Sequence, residues 1–168
     1  MATIRIPILG VETVPDTSGN VFQEPYTVKG TNDVWGRLVW IFNDTATRIG
    51  LRGGFAVPKN YVGTANIIVV WTATATTGDV VWDFDYRAVG VNDTERLDQA
   101  GTQEAVTVTD TAPTAAHNRL EASMTLTAAN LAVDDEVEFE LFRDGVAAGD
   151  TMAAAAILFA LMFEYSDA

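Results

Sequence analysis

From Tyr61 to Tyr86 the chain reads YVGTANIIVVWTATATTGDVVWDFDY. Two apolar runs, Ile67–Trp71 and Val80–Tyr86, flank a loop of Thr, Ala and Gly. In the second run Val80, Trp82, Phe84 and Tyr86 share one face, and Asp79, Val81, Asp83, Asp85 and Arg87 share the other. Successive side chains of a β-strand point to opposite faces, so this alternation predicts a half-buried strand with a solvated carboxylate face. The turn Thr76-Thr77-Gly78-Asp79 predicts that the two runs pair as a hairpin.

The same pattern recurs at short intervals. Thr3–Leu9 places Ile4, Ile6 and Ile8 on one face, and Val21–Val28 is a weaker candidate broken by Pro25. Trp35–Phe42, Ala65–Thr72, Asp79–Ala88 and the Val- and Thr-rich Gln103–Asp110 follow. Leu120–Thr127 alternates cleanly, as does Glu136–Arg143, with Val137, Phe139 and Leu141 against Glu136, Glu138 and Glu140. Polar or Gly/Pro turn signals lie between them, at Asp16–Asn20, Gly30–Asp33, Arg52–Gly54, Thr111–Thr114 and Arg143–Gly145. Strands at this spacing, with little helical periodicity, predict an all-β, jelly-roll-like antiparallel β-sandwich of about eight or nine strands. Residues 1–30 hold several breaker clusters and are expected to form an N-terminal arm or edge strand, with the sandwich over 31–168.

The segment Ala154–Tyr165 has an Ala-rich composition that also suits a helix. Yet Ile157, Phe159, Leu161, Phe163 and Tyr165 alternate with Ala156, Leu158, Ala160 and Met162, which predicts a strand apolar on both faces. Such a strand is normally covered on both sides. The opposite sheet is one cover, and a loop or a neighbouring subunit is the other.

Composition narrows the partners. The 168 residues are 48% hydrophobic, enough for one domain with a core. A net charge of −13 repels phosphates and anionic headgroups, so neither nucleic acid nor a membrane is an expected partner. The absence of cysteine removes disulfides, thiol nucleophiles and thiolate metal sites. The start, MATIRIPILGVE, does not read as a signal peptide. The apolar run Ala153–Phe163 falls well short of the roughly 20 residues of a spanning helix.

Candidate chemistry is sparse. His117 is the one histidine and sits in a loop without a G-x-S-x-G elbow, so it reads as a surface histidine. Asp83 and Asp85 neighbour each other on one strand rather than facing across a cleft. Asp134-Asp135-Glu136 lacks the spacing of a calcium loop, and Gly50–Gly54 lacks that of a phosphate loop. Arg143-Asp144-Gly145 and Gly149-Asp150 read as turn chemistry. Asn43 and Asn92 begin glycosylation sequons. No catalytic residue, metal ligand or cofactor is expected. Trp40, Trp71 and Trp82 lie on apolar strand faces and suit the core, whereas Trp35 shares a face with Arg37 and suits an interface.

The elements YVGTANIIVVW (61–71), TGDVVWDFDYRAV (77–89), VTVTDTAP (106–113), LFRDG (141–145) with Asp150-Thr151, and Phe163-Glu164-Tyr165 together resemble a β-sandwich domain of tailed-bacteriophage structural proteins. The resemblance covers about Tyr61 to Tyr165; the first 60 residues match less well. It implies a jelly roll that forms homotrimers on the virion, as a capsid decoration (cement) protein or within a tail or fibre. A decoration protein made in the bacterial cytoplasm would sit on the outer surface of the capsid and bridge subunits of the major capsid protein. Trp35, Arg37, Phe159 and Phe163 would then make subunit contacts, and Ile4, Ile6 and Ile8 in the N-terminal arm would touch the capsid.

Two rivals remain. A receptor- or glycan-binding jelly roll would show an exposed aromatic cluster with polar neighbours. A carbohydrate hydrolase would need two carboxylates from different strands facing one groove.

Overall fold

A computed structural model describes residues 1–15, 19–29, 34–91, 94, 96 and 103–168, without the side chains of 27–29 and 34–35. The turns expected at 16–20 and 30–33, the sequon at Asn92 and the side chain of Trp35 fall wholly or partly outside these residues. Eleven strands are described: β1 (Thr3–Pro7), β2 (Glu12–Thr13), β3 (Val21–Lys29), β4 (Val34–Phe42), β5 (Arg48–Ala56), β6 (Tyr61–Ala73), β7 (Asp79–Val89), β8 (Glu104–Thr111), β9 (Leu120–Thr125), β10 (Glu136–Asp144) and β11 (Ala156–Asp167). They form two antiparallel sheets. One is ordered β3-β4-β11-β6-β9, with β1 also against β11; the other is ordered β2-β5-β10-β7-β8. This is a jelly-roll β-sandwich.

The core lies between the sheets. Trp71, Trp82, Phe42, Phe84, Phe163 and Leu141 are completely enclosed there. The hairpin expected over Tyr61–Tyr86 does not form. β6 pairs with β11 and β9 in one sheet, and β7 pairs with β10 and β8 in the other. The linking turn is an arch between layers. It brings Trp71 and Trp82 together across the core in an edge-to-face contact, ring centroids 5.9 Å apart, where each buries the other's large apolar area.

β5 was masked by its glycines. Arg52-Gly53-Gly54 reads as a turn but lies inside a strand that pairs along its full length with β10. The small residues answer the partner strand. A Cβ on Gly50 would stand 2.5 Å from both the Leu141 carbonyl and the Phe142 ring. A Cβ on Gly53 would stand 3.1 Å from the Phe139 ring, a looser but still tight approach. Glycine in a strand commonly marks such a close approach.

The carboxylate face of β7 is not solvated. Asp83 and Asp85 are buried. Arg48 of β5 reaches over the sheet, with Nε 3.2 Å from Asp83 and Nη2 2.9 Å from Asp85, and its guanidinium stacks 3.8 Å from the Phe142 ring centroid. Thr107 donates a 2.6 Å hydrogen bond to Asp83 from the other flank. Buried carboxylates need such partners, and these come from strands 35 and 24 residues away.

Arg143 is also more than turn chemistry. It is 1% exposed and clamps Asp150 through two nitrogens, at 3.0 and 2.7 Å. It also donates to the carbonyls of Met152 and Ala154, both at 2.6 Å. The pair ties the end of β10 to the chain entering β11.

β11 breaks the alternation expected of it. A bulge shifts its register against β6 between Leu158 and Ala160. Ala156 and Leu158 face the core, and so do Leu161, Phe163 and Tyr165 beyond the bulge. Ile157 and Phe159 are sent to the outer face, where they pack with Val39 and Ile41. An extra residue in one strand reverses which side chains point inward. Phe163 is therefore wholly core, its ring stacked 5.5 Å from Tyr165, and it offers no surface to a subunit partner.

The first strand is not a free arm. β1 pairs with β11 from Thr3↔Ser166 to Pro7↔Met162. Ile8 is buried, and Ile4 and Ile6 pack half-buried against the core. Their apolar faces are spent within the subunit, which leaves little of them for a capsid contact.

Candidate functional site

The outer face of the β3-β4-β11-β6-β9 sheet carries a groove of about 400 Å³. Its floor is Val70 and Thr72 of β6 with Ala160 and Met162 of β11. Tyr26 of β3 and Arg37 of β4 form one wall, His117 and Arg119 of the connection into β9 form the other, and Phe159 stands between them.

The sheet's own irregularity builds this groove. β4 follows β11 only from Trp40 to Phe42, and β1 joins β11 only from Met162 onward. Between them the bulge leaves two carbonyls of β11 without a strand partner. The Ile8 N–H takes that of Leu161 at 2.8 Å, and the Arg37 guanidinium takes that of Phe159 at 2.8 Å. Backbone groups in such a setting must find partners, and a side chain here substitutes for a strand. The same guanidinium lies 5.3 Å from the Phe159 ring centroid.

The opposite wall is fixed to β6. The His117 N–H donates to the Ala73 carbonyl at 2.9 Å, and the Thr72 hydroxyl donates to the Asn118 carbonyl at 2.6 Å. His117 takes a φ of 70°, the left-handed region that few non-glycine residues adopt. That conformation turns its ring toward Tyr26. Tyr26 Oη and His117 Nδ1 share a hydrogen bond, with ring centroids 5.7 Å apart. Tyr26 also meets Phe159 edge-on at 5.1 Å, and burial pushes its phenol pKa up.

The groove thus joins two aromatic rings, an imidazole and two guanidiniums above a small apolar floor. Its volume lies within the roughly 300–1,000 Å³ typical of ligand sites. Arg37 and Phe159, both expected at a contact surface, are brought together here; Phe163 and the three isoleucines lie elsewhere. Tyr26 and Arg119 carried no signal in the sequence. His117 stood out as the single histidine, but its partner is 91 residues away.

A second groove, of about 610 Å³, lies along the β2-β5-β10-β7 surface. Glu12, Asp85, Glu138 and Glu140 approach it from three strands, the placement a hydrolase would need. Three of them are engaged by arginines: Glu12 with Arg52 at 2.7 Å, Glu138 with Arg87 at 2.8 Å, and Asp85 with Arg48. The first two pairs brace neighbouring strands, and the third reaches across β10. Among the described residues no group of three or more His, Cys, Asp or Glu is placed to hold a metal ion.

No family model matches the chain, and no curated protein matches it. Solved structures do. The CBM22-1–GH10 modules of Clostridium thermocellum xylanase 10B, complexed with xylohexaose, align with a TM-score of 0.51 at 12% identity, over 94% of this chain and 26% of that one. The CBM22-1 xylan-binding domain of Paenibacillus barcinonensis Xyn10C gives 0.48 at 13% identity, over 95% and 87% of the two chains. A family 30 carbohydrate-binding module of a Clostridium thermocellum cellulosomal cellulase gives 0.47 at 14% identity, over 99% and 92%. Likeness at such identities concerns the fold, and the resemblance to phage particle proteins gains no support from it. The chain has the jelly-roll β-sandwich architecture that these carbohydrate-binding modules also have.

Proposed function

We propose that this protein is a non-catalytic glycan-binding module whose sugar site is the groove at Tyr26, Phe159 and His117. One observation carries the reading: an aromatic cluster, open to solvent on one side, is ringed by polar side chains on a rigid sheet. Sugars present apolar C–H faces and polar edges. Half-buried rings suit the first, and guanidinium, imidazole and hydroxyl groups suit the second. Support also comes from the fold, since the xylanase 10B structure of similar fold is complexed with xylohexaose.

Binding to a panel of neutral and acidic oligosaccharides, by array and then calorimetry, tests it. At least one glycan should bind. Phe159→Ala should weaken that binding roughly tenfold, at the upper end of what an aromatic contact contributes. A panel without binders, or binding untouched by both Phe159→Ala and Tyr26→Phe, would overturn the assignment.

A second reading, a bacteriophage virion subunit, is favoured by the β3–β4 hairpin. This hairpin reaches past its short contact with β11 and exposes Leu38 to 61%. In that reading the protein trimerises on the outer surface of the capsid, and Arg37 and Phe159 meet a neighbouring subunit. Light scattering after size exclusion should then give a trimer, and a monomer that also fails to add back to capsids would end it.

A further inference from the structure

We propose that the ligand of this groove is an acidic sugar, one bearing a carboxylate, rather than a neutral one. The inference rests on the groove being the sugar site. It follows from the charge of the lining. The chain carries a net charge of −13, yet no Asp or Glu lines the groove, while Arg37, Arg119 and His117 all do.

The cations are incompletely neutralised. Arg119 pairs with Glu121, and Arg5 holds the same Glu121 at 2.8 Å and Glu164 at 2.6 Å. Arg37 lies apart from these pairs, against the Phe159 ring. It has no carboxylate partner among the described residues, and it donates to the Phe159 carbonyl. Among the described residues no other hydrogen-bond acceptor engages its donor fork. A planar guanidinium matches a carboxylate through paired hydrogen bonds, stronger than those to neutral hydroxyls. A neutral sugar also needs acceptors for its hydroxyl protons, and this lining is mostly donors. The geometry therefore fits a ring stacked against Phe159 with its carboxylate turned to Arg37.

Calorimetry with tetragalacturonate and with its methyl ester tests this, because the two differ in charge and share a skeleton. The acid should bind at least about tenfold more tightly than the ester, as expected for a charge-assisted hydrogen bond. Added salt should narrow the gap. Arg37→Gln should abolish the preference. Arg119→Gln, which leaves the carbonyl of the bulge capped, should reduce it while the melting temperature stays unchanged. Equal binding of acid and ester would overturn the acidic-sugar inference and leave the glycan site standing. So would binding of neutral oligosaccharides only, if Phe159→Ala abolishes it. A heparin-derived tetrasaccharide that still binds after its uronate carboxylates are reduced would assign the site to sulfate and overturn the carboxylate. Failure of every glycan, acidic and neutral, would remove both readings.

Discussion

Replacing Asp150 with Asn should weaken this sandwich more than any exposed substitution. The Asp150 side chain is 2% exposed and accepts from Arg143 Nη2 at 2.7 Å, Arg143 Nε at 3.0 Å and the Val81 N–H at 3.2 Å. The amide keeps the shape but leaves a guanidinium, 1% exposed, without its counter-charge. The next carboxylate is Asp44, at 3.4 Å and half exposed. Breaking one side of a buried pair costs about 3–5 kcal/mol. In a domain of this size each kcal/mol is worth about 2–4 °C, so the melting temperature should fall by roughly 6–20 °C. Urea unfolding followed by tryptophan fluorescence reads it directly, because Trp82 sits opposite Arg143 in the β10–β7 pairing. Arg143→Met should cost a similar amount, and Arg143→Met/Asp150→Leu should cost less than the two singles summed. A loss below about 1 kcal/mol for Asp150→Asn, or strict additivity in the cycle, would refute the clamp.

Gly50→Ala should lower stability by about 1–3 kcal/mol, since the new methyl group meets backbone and ring at 2.5 Å; a urea midpoint equal to wild type would contradict the close approach. Deleting residues 1–9 removes one buried and two half-buried isoleucines, a loss of roughly 4 kcal/mol in thermal or urea melts, whereas a dispensable arm would cost nothing. Burial alone would raise the Glu104 carboxyl, but hydrogen bonds from Thr127, Asn130 and Tyr86 outweigh it and hold the pKa below its ordinary value. The resulting stability is present above that ordinary value and is lost as pH falls through the lowered one. Urea midpoints should therefore drop on acidification below about pH 4.5, and Glu104→Gln should flatten that slope.

The fold was legible wherever one face of a strand is wet. β9 and β10 alternate because their outer residues, Glu121, Ser123, Glu136 and Glu138, meet solvent or surface partners, and their period is visible in the chain itself. β5 was not legible, because its glycines are dictated by Phe139 and Phe142 on the neighbouring strand rather than by a turn. Asp83 and Asp85 looked solvated for a related reason: the arginine that covers them lies one strand beyond β10. Pairing was illegible as well. The turn at Gly78 has hairpin composition, yet the two strands enter different sheets and each sets its one tryptophan, Trp71 and Trp82, into the core between them. Of the groove, Arg37 and Phe159 were foreseen as surface contacts. Tyr26, His117 and Arg119 meet only through the fold, so no local pattern could have joined them.

The bulge in β11 links that illegibility to function. Had the alternation run on unbroken, Phe159 would share a face with Phe163, and every β11 carbonyl there would be free to meet a neighbouring strand. One displaced residue changes both. It turns Phe159 outward, away from the core that Leu161 and Phe163 fill, and it leaves the Phe159 carbonyl for a side chain to satisfy. Arg37 reaches that carbonyl because β4 has parted from β11 after three residue pairs. The hairpin that carries Arg37 carries Tyr26 as well, which closes the wall over Phe159 and reaches His117. Bulges recur where a strand must re-aim a side chain. Here the bulge supplies the ring and the carbonyl, and the parting of β4 from β11 brings in the cation that lies against them.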